Sequence, residues 1–251
     1  MSGSTLSLYQ PINALKPVAD NIWIIDGPIV TMDMGLMQIP FPTRMTIVRL
    51  ENDQLWCHSP IALTPALKTK VDGLGKVAHV VSPNKIHYAH IQDWVEAYPD
   101  AIAWASPGVR LRAAQQNIAV TFHDDLTDAA PSGWSATIDQ HIFRGSRYID
   151  EVVFFHKPSQ ALILTDLIEN FEFSKVHSLW FKSLLRLAGN ADPDGKTPLD
   201  LQLTFWGNKT EARQSLSQLL QWNPEKIILA HGLWYEKEGR AELERAFRWL
   251  M

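Results

Sequence analysis

"VAHVVSPNKIHYAH", residues 77–90, joins the apolar run Val77–Val81 to a polar segment that contains two histidines. A short apolar run that ends at serine and proline is typical of a buried strand. The end of a strand is a rigid support that opens onto a loop, and functional side chains are often placed there. The stretch therefore predicts a strand, a loop that carries His87, and a functional site at their junction.

Two later apolar runs end in the same way. Leu162–Thr165 is followed by Asp166, and Ile227–Ala230 is followed by His231. Two imidazoles and one carboxylate suit a divalent or ferrous ion and leave coordination positions open for water. If the three strand ends converge, the sequence predicts one metal ion, Zn, Mn or Fe, bound by His87, Asp166 and His231.

The rest of the chain predicts one α/β domain over residues 1–251. Alternating apolar patterns predict two antiparallel hairpins, Arg44–Leu50 with Leu55–His58 and Glu151–Phe155 with Ala161–Thr165. Strand–helix alternation follows, so helices outside two packed sheets are the expected arrangement. Asp33–Pro42, which contains one glycine and two prolines, is predicted to be an irregular loop.

Composition excludes several classes of protein. The chain has 251 residues and a net charge of -4 at pH 7, so no global attraction to nucleic acid or anionic membranes is expected. Its apolar runs are far shorter than the roughly 20 residues that span a bilayer. One cysteine, Cys57, and the absence of a secretory pattern in Met1–Thr5 predict a cytoplasmic protein. The oligomeric state is left open.

The order of these motifs resembles the metallo-β-lactamase-like (metallo-hydrolase/oxidoreductase) superfamily, in particular its divergent DUF4336-type branch. "VAHVVSPNKIHYAH" is similar to the strand that carries the H-x-H-x-D-H signature of that superfamily. "FFHKPSQALILTDLIENF" resembles the segment that ends in its bridging aspartate, and "KIILAHG" resembles the strand that ends in its last histidine. The resemblance implies a four-layer αββα sandwich, α/β (α+β) in class, with the site at one edge between the sheets.

The signature itself is only partly present. When His87 is aligned with its final histidine, Ser82 and Asn84 stand at the two other histidine positions, and Ile86 stands at the aspartate. The residues at the two later strand ends match the bridging aspartate and the closing histidine. The resemblance therefore implies that the first metal position has lost nearly all its ligands, whereas the second retains the three strand-end residues.

A metal ion at the second position would lower the pKa of a bound water, the nucleophile, and would polarise a substrate carbonyl or phosphoryl oxygen. Asn84 is the predicted catalytic assistant, as a hydrogen-bond donor to the substrate oxygen or the bound water. Ile86 cannot replace the lost carboxylate, so efficient two-metal hydrolysis is not expected and another proton acceptor is needed. The predicted function is a degenerate or mononuclear metal-dependent hydrolase-like protein with an unknown small-molecule substrate. Candidate anion-binding side chains are Arg44, Arg144 and Arg147.

Two alternatives stay open. A metal-free, non-catalytic relative could keep the fold as a binding or structural protein, because a carboxylate and a histidine share charge without an ion. A serine hydrolase could use Ser59 or Ser82 with a histidine and Asp166, although neither serine lies in the G-x-S-x-G pattern.

Overall fold

The structure is a computed structural model that describes residues 6–33 and 38–251. Its first sheet has seven strands in sequence order, antiparallel from β1 to β4 and parallel from β4 to β7. The antiparallel pairing of β3 with β4 confirms the first predicted hairpin. The strands are β1 (Lys16–Ala19), β2 (Ile22–Asp33), β3 (Gln38–Arg49), β4 (Gln54–His58), β5 (Lys76–Val81), β6 (Ile102–Ala105) and β7 (Asp124–Asp125).

The second sheet has four strands in the order β11-β10-β9-β8. They are β8 (Ile138–Phe143), β9 (Glu151–His156), β10 (Ala161–Ile163) and β11 (Lys226–Ile228). β9 and β10 pair antiparallel, which confirms the second predicted hairpin, whereas β10 and β11 pair parallel. The parallel pair is the important one for the site, because two parallel strands deliver the residues that follow them to the same edge of the sheet.

Helices cover the outer face of each sheet. One core cluster packs α1, α2 and α3 against the first sheet, and a second packs α5, α6 and α7 against the second sheet. The four layers confirm the predicted αββα sandwich. The helices are α1 (Pro65–Asp72), α2 (Ile91–Ala97), α3 (Val109–Gln115), α4 (Leu179–Ala188), α5 (Leu199–Thr204), α6 (Lys209–Trp222) and α7 (Gly239–Ala246).

Large aromatic side chains fill the space between the two sheets. Trp56 of β4 and Phe154 of β9 meet edge to face with 4.8 Å between ring centroids, and both are fully buried. Trp104 and Trp134 make a similar contact at 4.8 Å. Burying one large apolar side chain stabilises a fold by about 1.5–3 kcal/mol, so this layer holds the two sheets in a fixed relation.

The predicted loop over Asp33–Pro42 is wrong in part. The hairpin of β2 and β3 is longer than the sequence pattern indicates, and β3 already pairs with β2 from Gln38 onward, with Pro40 and Pro42 inside the strand. β4 pairs with β3 only from Thr46. The extension therefore has a free side, and such edge positions tolerate proline. Residues 34–37 of the predicted loop lie outside the described residues.

Helix α4 lies beside this extended hairpin. It begins after Ser178, whose hydroxyl accepts a hydrogen bond from the backbone of Phe181, and it ends at Gly189 in the left-handed conformation at φ 73°. Phe181 and Leu185 of α4 are buried in a small core with Phe171. Among the described residues, no helix combines the length and the apolar character that a membrane span requires.

Candidate metal site

The three predicted ligands lie together at one edge of the sandwich. Asp166 and His231 follow the adjacent parallel strands β10 and β11, and His87 lies in the turns between β5 and α2 of the other sheet. His87 Nε2 is 3.1 Å from Asp166 Oδ2, and His231 Nε2 is 3.3 Å from Asp166 Oδ1. The prediction that the three strand ends converge is confirmed by these contacts.

The hydrogen bond that His231 makes through Nδ1 fixes the orientation of the ring, so that Nε2 faces Asp166. His231 Nδ1 lies 2.8 Å from the carbonyl oxygen of Pro42 in β3. A carbonyl only accepts, so Nδ1 carries the hydrogen, and in a neutral imidazole Nε2 then presents a lone pair to Asp166. Nε2 is therefore the nitrogen available to bind an ion beside Asp166.

His87 is held in a similar way by a hydroxyl. Its Nδ1 lies 2.7 Å from Ser59 Oγ, directly after β4. Burial lowers the pKa of His87, but the attraction and hydrogen bond of Asp166 outweigh burial, so the pKa lies above its ordinary value of 6.5. Burial likewise opposes ionisation of Asp166, and the two imidazoles more than compensate, which keeps its pKa far below the usual range.

Asn84 bonds both the carboxylate of Asp166 and the backbone of the loop that carries His87. The amide is fully buried; its Nδ2 donates to Asp166 Oδ2 at 2.6 Å and to Thr165 Oγ1 at 2.9 Å. Its Oδ1 accepts from the backbone amides of Ile86 and His87. Both hydrogens are engaged within the protein, so these contacts indicate a positioning residue rather than a donor to substrate. The predicted catalytic part of Asn84 stays a prediction.

A buried carboxylate that sequence reasoning missed supports the same group. Glu151, the first residue of β9, is fully buried and accepts from the backbone amides of Thr165 at 2.7 Å and Asp166 at 2.8 Å. Burial and repulsion by Asp166 raise its pKa, against the opposing effect of these hydrogen bonds. Glu151 therefore fixes the backbone that presents Asp166. The apolar residues that follow it in β9 gave no sign of this role.

Arg44 has a structural role that contradicts its predicted anion-binding one. The side chain is buried, its Nη2 lies 2.7 Å from Asp26, and its Nη1 donates to the carbonyl oxygens of Leu229 and Gly232. These two carbonyls flank His231 in the chain. Arg44 thus ties β3 to the loop that carries His231, and its donors are occupied. Arg144 instead pairs with exposed Asp128.

The three residues open onto a cavity of about 660 Å³, within the usual size range of small-molecule sites. Most of its described lining is apolar, and half of the lining residues belong to the β2–β3 hairpin, α4 and α5. Glu169 is the other buried acid on its wall, and its Oε2 accepts a hydrogen bond of 2.5 Å from Asn190. Burial raises the pKa of Glu169 to about 7. The cavity therefore joins a polar centre to a largely apolar chamber.

The donor set fits a metal ion. Two imidazole nitrogens and a carboxylate oxygen lie within 4.8 Å of one another. Ligands about 2.0 Å from a tetrahedral zinc are separated by about 3.3 Å, and each imidazole lies near that distance from one of the two oxygens of Asp166. Each imidazole also has a partner on its second nitrogen, as metal-binding histidines generally do.

Comparison with known proteins identifies the family of this chain. The family model described as "Domain of unknown function (DUF4336)" matches residues 19–186. The chain belongs to the DUF4336 family. No curated protein sequence matches this DUF4336 chain.

Solved metallo-β-lactamases share the fold of this DUF4336 protein. The DIM-1 enzyme exposed to ceftazidime is 14% identical, with 98% of each chain covered and a TM-score of 0.62. VMB-1 is 10% identical over 99% of this chain and 100% of its own, with a TM-score of 0.61. FIM-1 from Pseudomonas aeruginosa in its mono-zinc form is 14% identical over 98% and 95%, with a TM-score of 0.62. At such identities the likeness shows the fold alone, and the chain is a divergent member of the metallo-β-lactamase fold.

Proposed function

We propose that this DUF4336 protein is a mononuclear metal-dependent hydrolase, with one divalent ion held by His87, Asp166 and His231. The observation that carries the proposal is the pair of imidazoles whose Nε2 atoms face the two oxygens of one buried carboxylate. The mono-zinc form of the FIM-1 relative shows that this fold accommodates a single ion in that protein. Bound there, a metal ion would acidify a water molecule and polarise a substrate oxygen.

The protein's own residues would orient the ligands and exclude bulk water. Ser59 and the carbonyl of Pro42 fix the two imidazoles, while Asn84 and Glu151 fix the aspartate. Apolar walls give the chamber a low polarity, which strengthens every electrostatic interaction inside it. Preorganised ligands beside largely apolar walls are conditions under which a single ion activates a substrate.

Metal analysis tests the proposal directly. Protein purified without chelator should carry about one equivalent of Zn, Mn or Fe, and chelation should lower its melting temperature. His87→Ala and His231→Ala should each lose the ion. His90→Ala is the matched control, because His90 lines the same cavity but bonds Asp93 instead of Asp166. A wild-type protein that takes up no ion from excess metal, with an unchanged melting temperature, would instead support the metal-free, non-catalytic relative.

A second candidate function rests on one specific contact. Ser59 Oγ, His87 Nδ1, His87 Nε2 and Asp166 Oδ2 form a continuous chain with separations of 2.7 and 3.1 Å. Ser59 also lines the cavity and has a left-handed backbone, φ 50°. In the metal-free protein His87 could accept the proton of Ser59, as in serine hydrolases. Ser82 has no such role, because its buried hydroxyl donates to the carbonyl of Asn84.

A fluorophosphonate probe separates the two chemistries. A nucleophilic Ser59 would form an O–P bond, transfer its proton to His87 and expel fluoride, so the chelated wild type would be labelled and Ser59→Ala would not. A metal ion on His87 Nε2 occupies the nitrogen that faces Asp166, so added zinc should suppress labelling. If the chelated protein stays unlabelled, the serine candidate is excluded and the metal proposal is unaffected.

A further inference from the structure

The cavity contains a carboxylate oxygen that the proposed metal chemistry does not use. Glu169 is buried on the cavity wall, and Asn190 donates to its Oε2 at 2.5 Å. Its other oxygen, Oε1, has no hydrogen-bond partner among residues 6–33 and 38–251. Oε1 is not one of the fully enclosed polar atoms of the described residues, so it opens onto the cavity, where a ligand with a hydrogen-bond donor can pair with it.

The charges around the chamber indicate the sign of that ligand. Asp200, at the exposed start of α5, is a further acid on the described lining. Arg44 is the only arginine or lysine on the same described lining, and its guanidinium is occupied by Asp26 and two backbone carbonyls. His87 and His231 both face Asp166, and His90 faces Asp93, so an anionic group beside Glu169 and Asp200 would find no free cationic side chain on the described lining. A cationic group would meet complementary charge.

The remaining wall indicates the body of the ligand. Phe181, Leu185 and Leu187 of α4 face the same chamber as Leu199 and Leu201 of α5. Leu187 and Leu199 are 75% and 45% exposed, so the apolar lining continues onto the surface beside the cavity. Such a wall accommodates an aliphatic or aromatic chain and gains from removing it from water.

We propose that the substrate of this site is an amphipathic amine, whose ammonium group binds Glu169 and whose apolar body lies against α4 and α5. The inference rests on the proposed function, because it names the substrate class of the same cavity. Glu169 would then select the substrate, while the triad of His87, Asp166 and His231 acts on it.

Calorimetric binding of three eight-carbon probes tests the inference. Octylamine, octanol and octanoate have the same apolar body and differ in the charge of the head group. Chelated, metal-free protein is used, so the result does not depend on whether the metal proposal holds. A charge-assisted hydrogen bond predicts that octylamine binds about tenfold more tightly than octanol, with octanoate the weakest. Octanoate binding as tightly as octylamine would overturn the inference.

Variants test whether Glu169 is the source of the preference for octylamine. Glu169→Gln keeps the shape of the side chain and should reduce the advantage of octylamine over octanol to about twofold or less. Ala188→Trp, which fills the chamber from α4, should weaken all three probes. Exposed Glu225→Gln is the control and should change nothing. An unchanged amine preference in a folded Glu169→Gln protein would contradict the role of Glu169. If that variant does not fold, the wild-type ranking of the three probes still decides.

A failure of this inference is distinguishable from a failure of the metal proposal. If only the substrate inference fails, the protein binds about one metal ion but shows no preference for octylamine. If only the metal proposal fails, no ion binds, yet the chelated and untreated proteins both prefer octylamine.

Discussion

Two groups of buried histidines in this protein differ in one respect, the presence of a carboxylate. At the sheet edge, His87 and His231 both contact Asp166. Between the sheets and at the far end of β9, His58, His79 and His156 are buried, somewhat more deeply than His87, and the Nε2 atom of each has no hydrogen-bond partner among the described residues. Burial is common to both groups, so burial alone does not determine the charge of an imidazole.

The pKa shift of His87 is opposite in sign to those of His58, His79 and His156. Desolvation lowers the pKa of His58 to about 3 and those of His79 and His156 to about 4, whereas Asp166 raises the pKa of His87 despite its burial. These three rings are neutral and have no carboxylate partner: His58 stacks on Trp56 with 5.3 Å between centroids, and His79 and His156 bond Trp104 and Ser159 through Nδ1. The buried carboxylate of Asp166 reverses the effect of burial at His87, whereas the exposed Asp128 does not do so at His141, whose pKa is lowered.

The largest expected effect comes from removing the carboxylate that positions Asp166. Glu151→Ala leaves the buried amides of Thr165 and Asp166 without an acceptor, so we expect the free energy of unfolding to fall by about 4 kcal/mol. Urea denaturation of the metal-free protein measures this loss. Exposed Glu225→Ala should change stability by less than about 0.5 kcal/mol. Equal losses in the two variants would show that the network around Asp166 contributes little to stability.

A smaller change in the free energy of unfolding is expected from His58, which has no carboxylate partner, and this change depends on pH. The folded pKa of His58 is about 3 against 6.5 ordinarily, so the unfolded chain binds a proton that the folded chain does not. Stability is therefore lost as pH falls from about 6.5 toward the folded pKa, with a cost near 2 kcal/mol between about pH 7 and about pH 5. His58→Phe should abolish that contribution.

Chemical denaturation at the two pH values checks this expectation. The difference between wild type and His58→Phe isolates His58, because the other groups titrate alike in both proteins. Replacement of the exposed His177 by phenylalanine serves as the control and should leave the acid sensitivity of the wild type unchanged. Acid sensitivity that persists in full in His58→Phe would mean that this imidazole is already charged in the fold.

The sequence predicted the positions of the three candidate ligands because these positions depend on local pattern. His87, Asp166 and His231 each come after an apolar run, and β5, β10 and β11 formed where those runs predicted strands. The resemblance to the metallo-β-lactamase superfamily supplied what spacing could not, namely that the three strand ends meet. Register between distant strands depends on packing of the whole sandwich, which no local pattern encodes.

The supporting residues were missed for the same physical reason. Glu151 begins a strand and resembles an ordinary polar strand end, because a buried acid is rare unless a partner far away in sequence satisfies it. Ser59 was considered only as a nucleophile, and Arg44 only as an anion ligand. Glu169 follows an apolar stretch and gave no signal. Each role depends on contacts between segments that are distant in the chain.

The smallest expected effect concerns the hydroxyl that orients His87. Ser59→Ala removes the hydrogen bond to His87 Nδ1 and should lower the free energy of unfolding of the metal-free protein by about 1 kcal/mol. Ser59→Gly removes the same bond but relaxes the left-handed backbone at φ 50°, which a residue with a Cβ atom adopts at a cost. Glycine should therefore be the milder substitution of the two.

Urea denaturation of both variants, with nitrogen NMR of the His87 ring, separates the two contributions. If the hydroxyl orients the imidazole, both variants should show the same change at Nδ1, although their stabilities differ. A Ser59→Ala protein with the stability and the ring signals of the wild type would mean that Asp166 alone orients His87. The pKa difference between His87 and the histidines without a carboxylate partner would then depend on Asp166 alone, with no contribution from the hydrogen bond at Nδ1.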